Sequence, residues 1–247
     1  MRLSDKLEQA IASGKPFFSL EFFPPKTEQG LANLYERVER MARLEPLFVA
    51  VTWGAGGSTA QRTLEVCSAC QGVFGLETVM HLTCTNMDHA MIDQALAAAK
   101  EAGIQNILAL RGDRPRNQEY QVGANGFAHA IDLVRYIRSK YGDYFCLGVA
   151  GYPEGHTESS DKERDYEYFK EKVQAGADFV ISQLVFDHEL FVAWERRCRA
   201  DGIRVPIVPG VLPVQSYQSF RRLVFLTKAH VPPPLLADLD AAKTNDQ

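Results

Sequence analysis

The sequence predicts an α/β fold, specifically a TIM-type (β/α)8 barrel of which only seven strands are evident. Short apolar runs alternate with longer amphipathic segments, a pattern typical of βα repeats. Because the runs are almost continuously apolar, we expect a parallel sheet that is buried on both faces. The predicted strands are 17–23, 47–53, 77–84, 106–113, 146–152, 179–186 and 205–212.

The polar residues that close the strands favour a barrel over an open doubly wound sheet. A barrel collects its chemistry at the carboxyl ends of many strands, whereas an open sheet concentrates it at one switch point. The first six predicted strands each carry such a residue near the end, namely Glu21, Thr52, His81, Arg111, Tyr152 and Gln183. One interval is longer than the others, and it contains a predicted loop from Arg114 to Gly126 that is rich in Pro, Asn and Gly.

Helix signals lie between the strands. We predict helices over 59–73 after Ser58, over 89–102 after Asp88, and over 161–175 before Gly176. His89, His129 and His188 lie at or near helix starts and are interpreted as surface or capping residues.

Composition narrows the class of protein. The 247 residues, 46% hydrophobic and 23% charged, suit a single domain over residues 1–247. A net charge of -4 and the lack of a Lys/Arg run argue against nucleic-acid binding. No apolar run has the length of a membrane span, and no leader peptide is evident. An odd number of cysteines, five, favours a reducing compartment, so we expect a cytoplasmic protein.

Two local motifs resemble known sites but lack what those sites need. The segment 54–59 resembles a dinucleotide-binding glycine turn, yet Thr59 occupies the last glycine position, and we interpret it as a flexible loop. Cys67 and Cys70 have C-x-x-C spacing in a predicted helix with no second pair, which favours packing. No ligand cluster is apparent, so we expect no metal.

Glu21 interrupts an otherwise apolar strand. A buried carboxylate is costly unless it is paired or protonated, so its pKa should rise and prepare it to act as a general acid. The alternative is a structural ion pair with an arginine of the barrel.

The segment Arg111-Gly112-Asp113 ends the fourth strand. It is either a turn with a local ion pair or a place where the backbone passes close to a bound ring, with two opposite charges beside it. Lys170 and Lys172 are either solvated helix charges or a means of contacting a diphosphate.

Six segments taken together resemble the methylenetetrahydrofolate reductase family, in order along residues 17–245. They are Leu20-Glu21-Phe22-Phe23-Pro24-Pro25-Lys26-Thr27, Val51-Thr52-Trp53-Gly54-Ala55, His81-Leu82-Thr83-Cys84, Ala109-Leu110-Arg111-Gly112-Asp113, Ala150-Gly151-Tyr152-Pro153-Glu154 and Gln183-Leu184-Val185-Phe186. The resemblance implies a barrel that binds FAD.

The resemblance also implies an activity in one-carbon metabolism. NADH or NADPH reduces FAD in a ping-pong reaction, and the hydride then passes from flavin N5 to 5,10-methylenetetrahydrofolate, giving 5-methyltetrahydrofolate. Glu21 is implied as the general acid, Asp113 as a catalytic charge near flavin and folate, and Gln183 as a folate ligand, with Asp113 and Thr52 also lining the substrate. The implied FAD ligands are Thr52, Trp53, Ala55, His81, Arg111, Gly112, Asp113, Tyr152, His156, Asp165 and Lys172.

The sequence departs from the family at two places. Ser219 and Leu223 stand where bacterial members have Gln and Phe as ligand contacts. The family's eighth strand has no counterpart before Gln247, which leaves three explanations: a chain cut short, an incomplete sequence or a natural short form. Two other functions stay open, a non-catalytic partner of a full-length reductase and a flavin barrel similar to proline dehydrogenase. Family members associate, so a homo-oligomer is expected.

Overall fold

The computed structural model describes residues 1–54, 57–113 and 126–243. Strands and helices alternate along these residues. The strands are β1 (Ser19–Phe22), β2 (Phe48–Val51), β3 (Thr78–Thr83), β4 (Asn106–Leu110), β5 (Cys146–Gly151), β6 (Phe179–Leu184) and β7 (Ile207–Gly210). The helices are α1 (Leu3–Ala12), α2 (Glu28–Ala42), α3 (Ala60–Gly72), α4 (His89–Glu101), α5 (Ala130–Tyr141), α6 (Lys162–Gln174), α7 (His188–Ala200), α8 (Tyr217–Thr227) and α9 (Pro233–Ala242).

The strand order is β1-β2-β3-β4-β5-β6-β7, the same as the order along the chain. Neighbouring strands run parallel, with Leu20 opposite Val49 and Met80 opposite Ile107, for example. A doubly wound sheet would reverse its order at a switch point, whereas sequential parallel order is that of a TIM-type barrel. The predicted fold class is therefore confirmed, with seven strands in the described residues, each one to four residues shorter than predicted.

The chain divides into two compact units. The first comprises Met1–Val149 with Gln174–Phe179, and the second comprises Ala150–Val173 with Val180–Gln247. The prediction of a single domain over residues 1–247 stays a prediction.

The core of the first unit is built on β2 and β3. Every residue of both strands is buried, as expected for strands covered on both faces. Amphipathic helices supply the covering layer, and α2 buries Leu31, Leu34 and Val38 at helical spacing. The carboxyl ends of these strands are thereby held in fixed positions.

Helix boundaries follow the predicted signals closely. The side chain of Asp88 accepts a hydrogen bond from Met91 N and caps α4, as predicted. The residue preceding α3 is Thr59, not Ser58, and its hydroxyl bonds Gly54 N instead of capping the helix. The loop predicted from Arg114 lies outside the described residues except for Gly126, which bridges to Asp88.

The cysteines are buried and unpaired, which confirms a packing role for Cys67 and Cys70. Within residues 1–54, 57–113 and 126–243, no group of three or more side chains could hold a metal ion. None of the helices in the same ranges combines the length and apolarity that a membrane crossing requires.

Candidate active site

Glu21 and His81 meet on the first unit, on strands β1 and β3. Glu21 Oε2 lies 3.7 Å from His81 Nε2. The expectation that Glu21 is buried was wrong, because its side chain is 48% exposed while that of His81 is only 7% exposed. The strand places Glu21 between apolar neighbours, yet near the end of β1, where solvent reaches the carboxyl. Its titratable neighbour in the described residues is this imidazole and not an arginine.

Desolvation shifts the pKa values of the pair in opposite directions. It raises the pKa of the Glu21 carboxyl and lowers that of His81 to about 4, since each charged form loses hydration. At neutral pH His81 is therefore neutral and supplies no positive charge that would favour ionised Glu21. The predicted rise in the pKa of Glu21 is confirmed.

Thr52 and Trp53 directly follow β2. The carbonyl oxygen of Thr52 accepts a hydrogen bond from the Thr63 hydroxyl at 2.9 Å, which ties this strand end to α3. Trp53 is 6% exposed, and its indole Nε1 has no hydrogen-bond partner. His81 Nε2 likewise has none. Buried donors without partners are rare, and at a strand end they indicate groups available to a ligand.

The backbone after β4 approaches β3 closely at Gly112. Gly112 has φ of +89°, and a Cβ there would lie 2.9 Å from the Cβ of Thr83. Both facts demand glycine, because other residues rarely adopt this φ and the space is filled. Arg111 Nε donates to the Gly112 carbonyl at 3.3 Å, and Asp113 is exposed. The backbone at Gly112 therefore passes closely against Thr83, and its predicted approach to a bound ring stays a prediction.

Four predicted cofactor ligands of the second unit lie together. The rings of Tyr152 and His156 pack edge to face with centroids 4.8 Å apart, and His156 N donates to Asp165 at 2.9 Å. Lys172 Nζ donates to the Ala150 carbonyl at 2.7 Å and lies 5.6 Å from the centre of the Tyr152 ring.

Lys172 is not the solvated helix charge that its position allowed. Burial lowers the pKa of its ammonium to about 8, an effect that Asp165 partly opposes. Lys170, by contrast, pairs with Glu167 at 2.8 Å on the same helix, as an ordinary helix charge does.

Gln183 lies on β6 with an exposed side chain, and its Oε1 accepts a hydrogen bond from Leu184 N at 3.1 Å. The residue before it, Ser182, is 5% exposed, and its hydroxyl bonds both Gln183 O and Gly210 N. Sequence reasoning missed Ser182. The signal was available, since Ser182 is a polar residue inside an apolar strand, as Glu21 is.

The predicted residues are divided between the two units. The first unit carries Glu21, Thr52, Trp53, His81, Arg111, Gly112 and Asp113, and the second carries Tyr152, His156, Asp165, Lys172 and Gln183. The predicted ligand Ala55 lies outside the described residues.

Comparison with known proteins agrees with these motifs. The family model described as methylenetetrahydrofolate reductase matches residues 6–247. The chain belongs to the methylenetetrahydrofolate reductase family. A rice protein named as a probable methylenetetrahydrofolate reductase (NADH) is 48% identical over the whole chain, which spans 43% of that relative. A Caenorhabditis elegans protein named as a probable methylenetetrahydrofolate reductase (NADPH) is 39% identical over 99% of this chain. The matched region spans 37% of that relative.

A bacterial member of the methylenetetrahydrofolate reductase family is closer to this chain in length. The 5,10-methylenetetrahydrofolate reductase of Pectobacterium carotovorum is 36% identical over 92% of the chain, which covers 75% of it. The chain thus spans less than half of the eukaryotic relatives and most of this bacterial one. Among solved structures, a Clostridium thermocellum protein described as binding two copies of 5-methyl-5,6,7,8-tetrahydrofolic acid has a TM-score of 0.62 at 16% identity, covering 97% of this chain and 82% of that one. That likeness shows the shared fold.

Proposed function

We propose that this chain carries the FAD-dependent reduction of 5,10-methylenetetrahydrofolate to 5-methyltetrahydrofolate by NADH or NADPH. The single observation that carries the proposal is the Glu21–His81 pair, a carboxyl with a raised pKa facing a neutral imidazole at the ends of parallel strands. Membership of the family supplies the reaction and its substrates. Relatives named for NADH and for NADPH both match, so either nucleotide is a candidate.

The residues present fit FAD. In the first unit, the unpartnered Trp53 Nε1 and His81 Nε2 suit the polar edge of a flat ring system. In the second unit, Lys172 with Tyr152 suits a diphosphate and its ribose. FAD, when bound, supplies hydride transfer between nicotinamide and folate in two separate half-reactions.

Glu21 holds the proton that the folate requires. A protonated carboxyl at the exposed end of β1 can deliver its proton to the bridging nitrogen of the substrate, which opens the ring so that its carbon can accept hydride. His81 assists by staying neutral, because a nearby imidazolium would stabilise the carboxylate, lower the pKa of Glu21 and leave less of the protonated acid at neutral pH.

Asp113 and Gln183 bind and orient the substrate. Asp113 is exposed after β4, where its negative charge would stabilise the cationic form of the opened folate. The amide of Gln183 both donates and accepts hydrogen bonds, which matches the edge of a pterin. Gln183 would release Leu184 N when folate binds, since its Oε1 occupies that donor here.

An anaerobic absorbance titration of the purified chain tests the proposal. The flavin band should bleach when NADH or NADPH is added and recover when methylenetetrahydrofolate follows. Absence of bound flavin would contradict the proposal and favour a non-catalytic partner of a full-length reductase. Bleaching by proline, with no response to folate, would favour a flavin barrel of the proline dehydrogenase kind.

A further inference from the structure

The pairing of β6 with β7 contains an irregularity at the position of Gln183. Val180 is opposite Ile207 and Ile181 is opposite Val208, but the next pair is Leu184 with Gly210. Two residues, Ser182 and Gln183, therefore face one, so β6 contains a bulge. Bulges bend a strand, disrupt its ladder of hydrogen bonds and frequently redirect a side chain beside an active site.

The Ser182 hydroxyl replaces the hydrogen bonding that the bulge disrupts. Its Oγ accepts from Gly210 N at 3.0 Å, an amide that regular pairing would give to a carbonyl of β6. The same Oγ donates to the carbonyl of Gln183 at 2.8 Å. One buried hydroxyl thereby fixes both the facing strand and the peptide group of Gln183, whose own side chain is exposed.

The hydrogen bonds of the Ser182 hydroxyl at the bulge also require a glycine at position 210. A Cβ at this position would lie 2.5 Å from the Ser182 carbonyl oxygen and 3.2 Å from the carbonyl carbon of Gln183. Only glycine lets β7 approach the bulge this closely, so the distance from Ser182 Oγ to Gly210 N depends on it.

We propose that Ser182 is a positioning residue for Gln183, and that its hydroxyl holds the bulge which aims the Gln183 amide at the folate. This inference rests on the proposed function. Ser182 acts through the backbone and contacts no substrate. Its effect is therefore confined to the steps in which folate is bound, and the reduction of flavin by nicotinamide does not depend on it.

The test compares Ser182→Ala, Ser182→Thr and the matched control Ser139→Ala in the full chain. Ser139 likewise donates its hydroxyl to a backbone carbonyl, that of Tyr136, at an exposed site on α5. In Ser182→Ala we expect kcat/KM for methylenetetrahydrofolate to fall about tenfold, mainly through KM, because the Gly210 amide loses its partner. The rate of flavin bleaching by nicotinamide should stay the same, and Ser182→Thr should restore folate kinetics.

A double-mutant cycle with Gln183→Ala separates positioning from general destabilisation. If Ser182 acts through Gln183, the double variant is no worse towards folate than Gln183→Ala alone. Additive losses, equal losses in both half-reactions, or unchanged kinetics in Ser182→Ala would overturn the inference. Should Ser182→Ala fail to fold, Ser182→Cys takes its place, since a thiol keeps the volume and bonds weakly. If the unmodified chain binds flavin but never reacts with folate, the proposed function itself fails, and the inference with it.

Discussion

At the scale of single residues, the pKa values of the neighbouring Glu21 and His81 shift in opposite directions. Desolvation is the largest cause in both cases, and it raises the pKa of the Glu21 carboxyl while it lowers that of the His81 imidazole to about 4. Two titratable groups whose pKa values move in opposite directions are a frequent arrangement for acid catalysis.

Replacing Glu21 by Gln should remove the proton donor without altering shape. We expect folate reduction to slow by about 10²–10⁴-fold, while flavin reduction by nicotinamide changes little. The unmodified chain should lose folate activity as pH rises through the raised pKa of Glu21, and the variant should lack that dependence. Stopped-flow measurement of each half-reaction checks this, with the exposed Glu36→Gln as control. Equal slowing of both half-reactions would contradict the assigned role.

His81 should make the fold sensitive to acid. Its folded pKa of about 4 lies below the ordinary histidine value of 6.5, so the unfolded chain binds a proton at higher pH than the folded one. The stability that a neutral His81 contributes is complete above pH 6.5 and declines as pH falls towards 4, by about 2 kcal/mol between pH 7 and pH 5. Denaturant unfolding at both pH values should show a smaller decline in His81→Gln than in the control His188→Gln, whose side chain is exposed. Equal declines would rule out His81 as the cause.

Sequence reasoning located Glu21 because a carboxyl inside an apolar strand is anomalous. It could not give the exposure of the side chain, which depends on where β1 ends relative to its neighbours. Nor could it find His81 as the partner, since the two residues are on different strands and meet only through the curvature and pairing of the sheet.

At the scale of secondary-structure elements, the connection after β4 depends on a glycine that β3 leaves no room to replace. Gly112 combines a positive φ with contact to Thr83, whereas Gly103 has φ of +72° and open space around its Cβ position. Comparing the two glycines therefore distinguishes the energetic cost of a positive φ from the cost of a steric clash with a neighbouring side chain.

Gly112→Ala should be more destabilising than Gly103→Ala. Both variants meet the cost of a positive φ, about 1 kcal/mol, and Gly112→Ala adds about 1–3 kcal/mol of overpacking against Thr83. Urea unfolding of the two variants measures the difference, and flavin retention should fall only in Gly112→Ala. Equal stabilities would show that the β3 contact relaxes without cost.

At the scale of the whole molecule, the two ends of the parallel strands have different roles. The predicted site residues lie near the carboxyl ends, and stabilising polar contacts lie at the amino ends. In the first unit, residues at the amino ends of the strands form polar links among themselves. Asp178, which precedes β6, bonds Arg2, Arg138 and Leu147 N, and Asn106, which opens β4, bonds Leu3 N and Glu77. Residues at this end of a barrel usually serve stability.

Asp178→Ala should lower stability and leave catalysis intact. Removing the carboxylate leaves the Leu147 amide without its acceptor and takes away the closest carboxylate of Arg138, which still bonds the Gly176 carbonyl. This loss should cost about 2–3 kcal/mol of unfolding free energy. Asp143→Ala is the matched control, because Asp143 approaches the same arginine at 3.7 Å but is 92% exposed. Calorimetry should show a lower Tm for Asp178→Ala only, with unchanged kcat for the folded protein. A loss of kcat in the folded Asp178→Ala variant would contradict this division.

The sequence by itself determined the βα repeat and the barrel class, which depend on local composition and spacing that a linear chain displays directly. The resemblance of six segments identified the family and predicted the site residues near the strand ends. Only the tertiary structure decided that Glu21 is exposed, that His81 and not an arginine faces it, that Lys172 is desolvated, and that Ser182 holds a bulge opposite Gly210. These properties arise between strands or between a helix and a strand, so they follow from register and burial, which no single segment specifies.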